Sequence, residues 1–299
     1  YSTVTLMKWM FLLGVIMIKN QLKTFILLAL LTAVLLFAGR ALAGPTGLAI
    51  AGVFVVLMNV FSYFFSHKLV LAMYKAKEAT EKEQPELFKL VREVAHLANI
   101  PMPKVYVIPT MSPNAFATGR DPKHAVVACT QGIMRLLSKD ELKGDIAHEV
   151  SHIKNRDILI QTVAATIAGV ISYLAIMARW GAIFGGLGGR SRDGGNLISL
   201  LVLSIITPLI AMLIQLAISR SREYLADESA AKILHSSHGL ASALEKLDSG
   251  IKQNPMKMGS PSTSSLFIAN PFKGSGMMKL LSTHPPMKER ISRLKGMNV

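Results

Sequence analysis

The chain is poor in cysteine and in charge. Cys129 is the one cysteine among 299 residues, which excludes an intrachain disulfide framework and any multi-cysteine metal site. Charged residues make up 17% of the chain, against about 25% in a typical soluble domain. Acidic side chains are the scarcest: 18 Asp+Glu stand against 33 Lys+Arg, a formal charge of +15. Aromatic residues are 7% and are not interleaved with the basic ones, so the charge carries no signature of nucleic-acid binding. Apolar residues, at 51%, are too plentiful for disorder. They also exceed what a water-facing surface can carry, so the composition implies a membrane protein with a basic aqueous part.

Four stretches reach the roughly 20 apolar residues needed to cross a bilayer: 24–43, 47–66, 158–178 and 197–218. Gly44-Pro45-Thr46 makes the first two a helical hairpin. Pro208 and Gln215 within the fourth are tolerable where neighbouring helices satisfy the freed groups. The Gly-rich stretch 184–196 joins the last two spans as a flexible polar loop. Residues 9–18 are apolar but too few to span, and the run Met17-Ile18-Lys19-Asn20 resembles a natural start, so residues 1–16 are expected to be an upstream extension.

Two hairpins leave all the water-soluble sequence on one side. The expected order is an N-terminal arm (1–23), a transmembrane hairpin (24–66), a first catalytic block (67–157), a second hairpin (158–218) and a second catalytic block (219–299). The arm and blocks together hold 29 of the 33 Lys+Arg, and Arg40, Arg179, Arg190 and Arg192 are the rest. Basic residues near span ends mark the cytoplasmic side. Lys19, Lys23, Lys68, Lys75, Lys154, Arg156, Arg220 and Arg222 all sit at such ends, which places the aqueous blocks in the cytoplasm, at a cell or inner membrane.

The chemistry lies in His148-Glu149-Val150-Ser151-His152. Residues four apart share one face of a helix, so both imidazoles can grip one zinc ion while Glu149 acts as general base toward the attacking water. Ser138 and Glu141 form a capping-box pattern, and Leu142, Ile146 and Val150 recur at helical spacing. The same helix is expected to continue through Ile153 toward the third span. A third ligand on the same side of the membrane is Glu223, in Ser219-Arg220-Ser221-Arg222-Glu223-Tyr224-Leu225-Ala226-Asp227. It completes a His2Glu set with one position open. Asp227, one turn on, is placed to fix the tautomer of a ligating imidazole. Taken alone, this segment reads equally well as a basic juxtamembrane helix with ordinary charge pairing. Beside the HExxH motif the ligand reading prevails, because the metal has no better third ligand.

HEVSH with Asn155 and Asp157, then SREYLAD, then Thr283-His284-Pro285-Pro286-Met287-Lys288-Glu289-Arg290, resembles the HtpX family of membrane zinc endopeptidases, relatives of the CAAX-prenyl-protease-type gluzincins. Pro113-Asn114-Ala115-Phe116-Ala117-Thr118-Gly119 resembles that family's NAFATG element. The likeness runs from about Met17 to the C-terminus. It implies one Zn2+ held by His148, His152 and Glu223, catalysis by Glu149, an oxyanion donor in His284 with Arg290 nearby, and Asp227 supporting the ligands. It also implies a substrate strand at Asn114, Ala115, Phe116 and Ala117, pairing with substrate backbone by β-augmentation. The residues alone leave alternatives open. Pro285 also suits the first position of a helix, and the stretch 114–119, between expected strands at 104–108 and 125–130, reads as a plain β-turn-β with an exposed edge.

The expected fold is a mainly α membrane protein with four transmembrane helices and a cytoplasmic zincin-like α+β domain containing a small β-sheet. The expected function is zinc-dependent endopeptidase action on unfolded or damaged membrane proteins, in membrane-protein quality control and stress response, with lipid as the other partner and no nucleic acid. A CAAX-type prenyl-protein peptidase shares the chemistry but encloses its site with more helices; a non-catalytic scaffold would have no use for Glu149. His67, His96, His124, His235 and His238 lack ligand spacing. The stretch 255–276, rich in Gly, Ser, Pro and Lys around Leu266-Phe267-Ile268, reads as a mobile or membrane-touching loop, or a lid over the cleft. Cys129 is expected to be a buried strand residue.

Overall fold

The computed structural model describes residues 3–159, 161–163, 220–256, 266–270, 285–297 and 299. The fourth span, nearly all of the third, the 184–196 loop, most of 255–276 and His284 lie outside the described residues.

Helix α1 covers Thr3–Met73, but it is not a rod. Gly44 adopts a left-handed conformation, φ +58°, which glycine reaches without a steric penalty, and the chain reverses there. Asn59 Nδ2 donates to Thr32 Oγ1 at 3.0 Å, two residues that a straight helix would hold about 40 Å apart. A Cβ on Gly39 would come within 2.5 Å of the Ala51 Cβ, so the two limbs meet closely. Beyond the turn, Gly44–Phe61 is the helical window, among the described residues, that is long and apolar enough to cross a membrane. Ile50, Val53, Val56 and Leu57 are exposed along it.

The sheet has order β1-β2-β4-β3, from Lys77–Glu78 (β1), Lys104–Ile108 (β2), Ala115–Thr118 (β3) and Val126–Thr130 (β4). β1 and β3 lie antiparallel to their neighbours, and β2 runs parallel to β4. Alternation along the strands supplies two cores. Val105, Ala115, Ala117, Val127 and Cys129 face a helical layer, while Ile108, Phe116, Val126 and Ala128 face Val70, Leu71 and Tyr74 at the end of α1. The sheet is thereby fastened to the end of α1. Cys129 is buried, as its strand context implied.

The helical layer comprises α2 (Pro85–Ala98), α3 (Gln131–Leu136), α4 (Lys139–Lys154), α5 (Arg220–Leu234), α6 (His238–Gln253) and α7 (Met287–Lys295). α4 is central and packs on α2, α5, α6 and β3. Its crossing with α6 is close enough that a Cβ on Gly144 would lie 2.5 Å from the Leu240 amide nitrogen.

α4 runs through Ile153, as expected, and ends at Lys154; Arg156 at φ +56° interrupts it, and helix resumes at Ile158. One expectation is corrected here. β3 is an edge in topology but not an exposed one, since all four of its residues are buried. The covering comes from α4 on one flank and from Leu266–Asn270, whose amide at Ile268 donates to the Ala115 carbonyl.

Candidate active site

α4 positions the site, and its start is fixed locally. Ser138 Oγ accepts from the Glu141 amide and Glu141 Oε2 accepts from the Ser138 amide, a reciprocal cap. Glu141 also accepts from Ser242 Oγ at 2.6 Å and Lys246 Nζ at 2.7 Å, which ties α4 to α6. From this anchor, successive helical turns bury Asp145, His148, Glu149 and His152.

The two imidazoles face each other, with Nε2 of His148 and Nε2 of His152 3.1 Å apart. α5 brings Glu223 between them, its carboxylate oxygens 3.6 Å from His148 Nε2 and 3.7 Å from His152 Nε2. The outer ring nitrogens are both held by carboxylates. His148 Nδ1 lies 2.9 Å from Asp227 Oδ1, and His152 Nδ1 lies 3.0 Å from Asp157 Oδ2. Arg290 on α7 closes the arrangement, donating from Nε and Nη2 to the two oxygens of Asp227 at 2.9 and 2.7 Å. Burial opposes ionisation of Asp227, but Arg290 and His148 hold its carboxyl down to about 2.

These residues fit a zinc ion. A carboxylate at each Nδ1 keeps the proton there, which leaves both Nε2 lone pairs converging on the same point. Two facing lone pairs and a carboxylate repel unless a cation lies among them. A tetrahedral ion with ligands about 2.0–2.1 Å away separates its ligand atoms by about 3.3–3.4 Å, close to the measured 3.1, 3.6 and 3.7 Å. Charge agrees with geometry. Asp157, Glu223 and Asp227 are buried here with Arg222 and Arg290, an acidic excess that a bound cation offsets.

Glu149 stands apart from the ligand set. Its Oε2 accepts from the Ala117 amide of β3 at 2.6 Å. Burial pushes its carboxyl up to about 8, with His152 opposing and Asp145 and Glu223 adding to the rise. Asp145, one turn earlier, makes no side-chain hydrogen bond among the described residues, and burial lifts it to about 7.

A model of the peptidase family M48 matches residues 81–298. The chain belongs to peptidase family M48. It is 53% identical over 282 residues to the protease HtpX homolog of Syntrophobacter fumaroxidans, covering 93% of this chain and 99% of that protein. The protease HtpX homolog of Thermodesulfovibrio yellowstonii is 55% identical, covering 93% and 98%, and that of Pyrococcus furiosus is 51% identical, covering 91% and 94%. The crystal structure of S. mikatae Ste24p shares the fold, with TM-score 0.52 at 19% identity over 94% of this chain and 67% of that one. The HtpX likeness drawn from the motifs therefore holds. As a member of this zinc-dependent M48 family the chain is a metalloprotease, a hydrolase acting on peptides.

The structure brings together His148, His152, Glu149, Glu223, Asp227, Arg290 and Ala117. Ala115 lies on the same strand and Asn114 just before it, while the Phe116 ring turns to the opposite face, against Tyr74 and Phe267. His284 lies outside the described residues. Two participants had no assigned part in the sequence reading. Asp157 stands five residues after His152, a spacing that reaches back because Arg156, at φ +56°, breaks the helix between them. Ile268 was hidden in a stretch with loop composition, yet its carbonyl accepts from Arg290 Nη1 at 2.8 Å.

Proposed function

We propose that this M48 metalloprotease holds a single Zn2+ on His148, His152 and Glu223 and cuts peptide bonds by direct attack of water. The observation that carries this reading is the convergence of both His Nε2 atoms on the Glu223 carboxylate, with each Nδ1 fixed by its own acid. When bound, the zinc ion supplies Lewis-acid polarisation of the scissile carbonyl and of the attacking water.

The chain's own residues do the rest. Glu149 receives the water proton as the C–O bond forms, then delivers it to the leaving amine as the C–N bond breaks. No covalent enzyme intermediate arises. The Ala117 amide orients Glu149, and Asp227, clamped by Arg290, orients His148. His284, assigned from the Thr283-His284-Pro285-Pro286 resemblance, donates a hydrogen bond to the developing oxyanion. An extended substrate adds along β3, where backbone pairing gives affinity with little demand on sequence.

Four spans, with blocks 67–157 and 219–299 both cytoplasmic, account for the distribution of Lys and Arg. The basic side would then meet anionic lipid. A cytoplasm-facing, sequence-tolerant protease anchored in the membrane suits unfolded or damaged membrane proteins as substrates. The test is to incubate the detergent-solubilised protein with an unfolded membrane protein and, separately, with a prenylated CAAX peptide. Cleavage of the first and not the second is expected. Cleavage confined to the prenylated peptide would favour the CAAX-type alternative.

A further inference from the structure

Leu266, Phe267, Ile268 and Ala269 are buried, and the backbone that carries them lies on the outer edge of β3. Alternate residues of an antiparallel strand direct both their N–H and C=O groups to the same side. Asn114 directs its carbonyl to the Thr130 amide of β4, so Ala115 and Ala117 direct theirs outward. On that outward side the Ala115 carbonyl accepts from the Ile268 amide at 3.3 Å. The Ala269 carbonyl accepts from Asn114 Nδ2 at 2.7 Å. The Ile268 carbonyl accepts from Arg290 Nη1 at 2.8 Å.

These three donors and acceptors all belong to the cleft. Asn114 and Ala115 form the strand edge, and Arg290 is the residue that grips Asp227 behind His148. Two residues further along the same edge, the Ala117 amide is held by Glu149. Ile268 therefore makes with Ala115 the backbone contact that an extended peptide would make there, and the side chains of Asn114 and Arg290 hold the adjacent carbonyls. Side chains anchor it. The Phe267 ring meets Tyr74 edge-on at 4.9 Å and Phe116 at 5.2 Å, and Ile268 and Ala269 join the main core.

We propose that Leu266–Asn270 is an internal pseudosubstrate, seated on the β3 edge beside the zinc site in the resting enzyme and displaced when a substrate strand binds. The proposal rests on reading β3 as the substrate edge. It supplies a restraint on a sequence-tolerant protease: the edge is open only while the segment is out, so apparent affinity is reduced by the open fraction. Leaving also withdraws Phe267 from Tyr74, the residue that follows α1. Occupancy of the cleft is thus joined to the end of α1.

The test uses the full chain in detergent with its zinc content measured. Phe267→Ala removes both edge-to-face contacts and weakens seating, so KM for an unfolded substrate should fall by about tenfold or more while kcat is held. Leu266→Ala, which trims the segment's other anchor in the Tyr74–Phe116 cluster, should act in the same direction. A loss of kcat/KM in both variants that follows their loss of Tm would overturn the proposal, because it would make the segment plain core. A second readout needs no turnover. In the Glu149→Gln protein saturated with unfolded substrate, the Ile268 amide should lose hydrogen-exchange protection while a photoreactive substrate crosslinks to residues 115–117. Crosslinking to β3 with Ile268 still protected would refute the pseudosubstrate alone. Saturated binding with no crosslink to β3 would refute the edge reading, and the pseudosubstrate with it.

Discussion

Glu149 Oε2 and the Ala117 amide are joined by a 2.6 Å hydrogen bond, so the acidic residue of HEVSH and the edge strand of the sheet are held as one unit. The contact links two elements 32 residues apart and buries the carboxylate. It sets the distance between the proposed general base and any peptide laid along β3. It also explains why the residue after His148 lies apart from His148, His152 and Glu223: its carboxyl is committed to a backbone donor.

Asp157 holds Nδ1 of His152 as Asp227 holds Nδ1 of His148. Asp157→Asn should therefore lower zinc affinity by about 10- to 100-fold with the fold intact. Competition against a fluorescent chelator measures this, with circular dichroism as the control for folding. Unchanged affinity would remove Asp157 from the account.

Glu223 is the one proposed ligand that α5 contributes. Glu223→Ala should take zinc content well below one ion per chain, as read by elemental analysis after dialysis. In the wild-type protein a chelator should abolish cleavage, and added zinc should restore it. Full zinc retention by the variant would require another third ligand.

Gly144 sits where α4 crosses α6, with no room for a methyl group beside the Leu240 backbone. Gly144→Ala improves helix propensity by about 1 kcal/mol, but forcing the two backbones apart should cost about 1–3 kcal/mol. The crossing should win, and Tm should fall. A raised Tm would show that α6 yields without cost.

Glu141 carries a pH-dependent part of the α4–α6 contact. Burial raises its pKa, but Lys246, Ser242 and Ser138 outweigh that and bring it from 4.5 down to about 2. A depressed carboxyl stabilises the fold above its unfolded value, and this contribution is lost as pH falls from about 4.5 toward about 2. Glu141→Gln should therefore destabilise the protein at neutral pH and flatten its acid-unfolding curve over that window. An unaltered curve would mean that the ion pair with Lys246 contributes nothing.

The parts of this molecule legible in the sequence are those encoded locally. The capping box at Ser138 and Glu141, the four-residue spacing of His148 and His152, and β2 at Lys104–Ile108 each depend on neighbours within one or two turns or one strand. Glu223 was legible from the motif around it. What escaped depends on distant packing or on one unusual dihedral angle. Arg156 is a non-glycine residue in the left-handed region, and the turn it makes, which brings Asp157 back to His152, has no local sequence signal. β3 was expected to be exposed because its composition is that of an edge. The chain that covers it, Leu266–Asn270, is some 150 residues away and is surrounded by Gly, Ser, Pro and Lys that dominate any window. Asn114 reaches Ala269 across a separation of 155 residues, which no local pattern signals.

The central claim is that Glu149 moves the proton while His148, His152 and Glu223 hold the metal. The direct measurement is cleavage of an unfolded membrane protein by wild type and Glu149→Gln, side by side, with zinc quantified in both. The account predicts full zinc occupancy in the variant and a loss of cleavage of at least about 100-fold, the lower range for removing a general base. Cleavage at the wild-type rate by the zinc-loaded variant would contradict it.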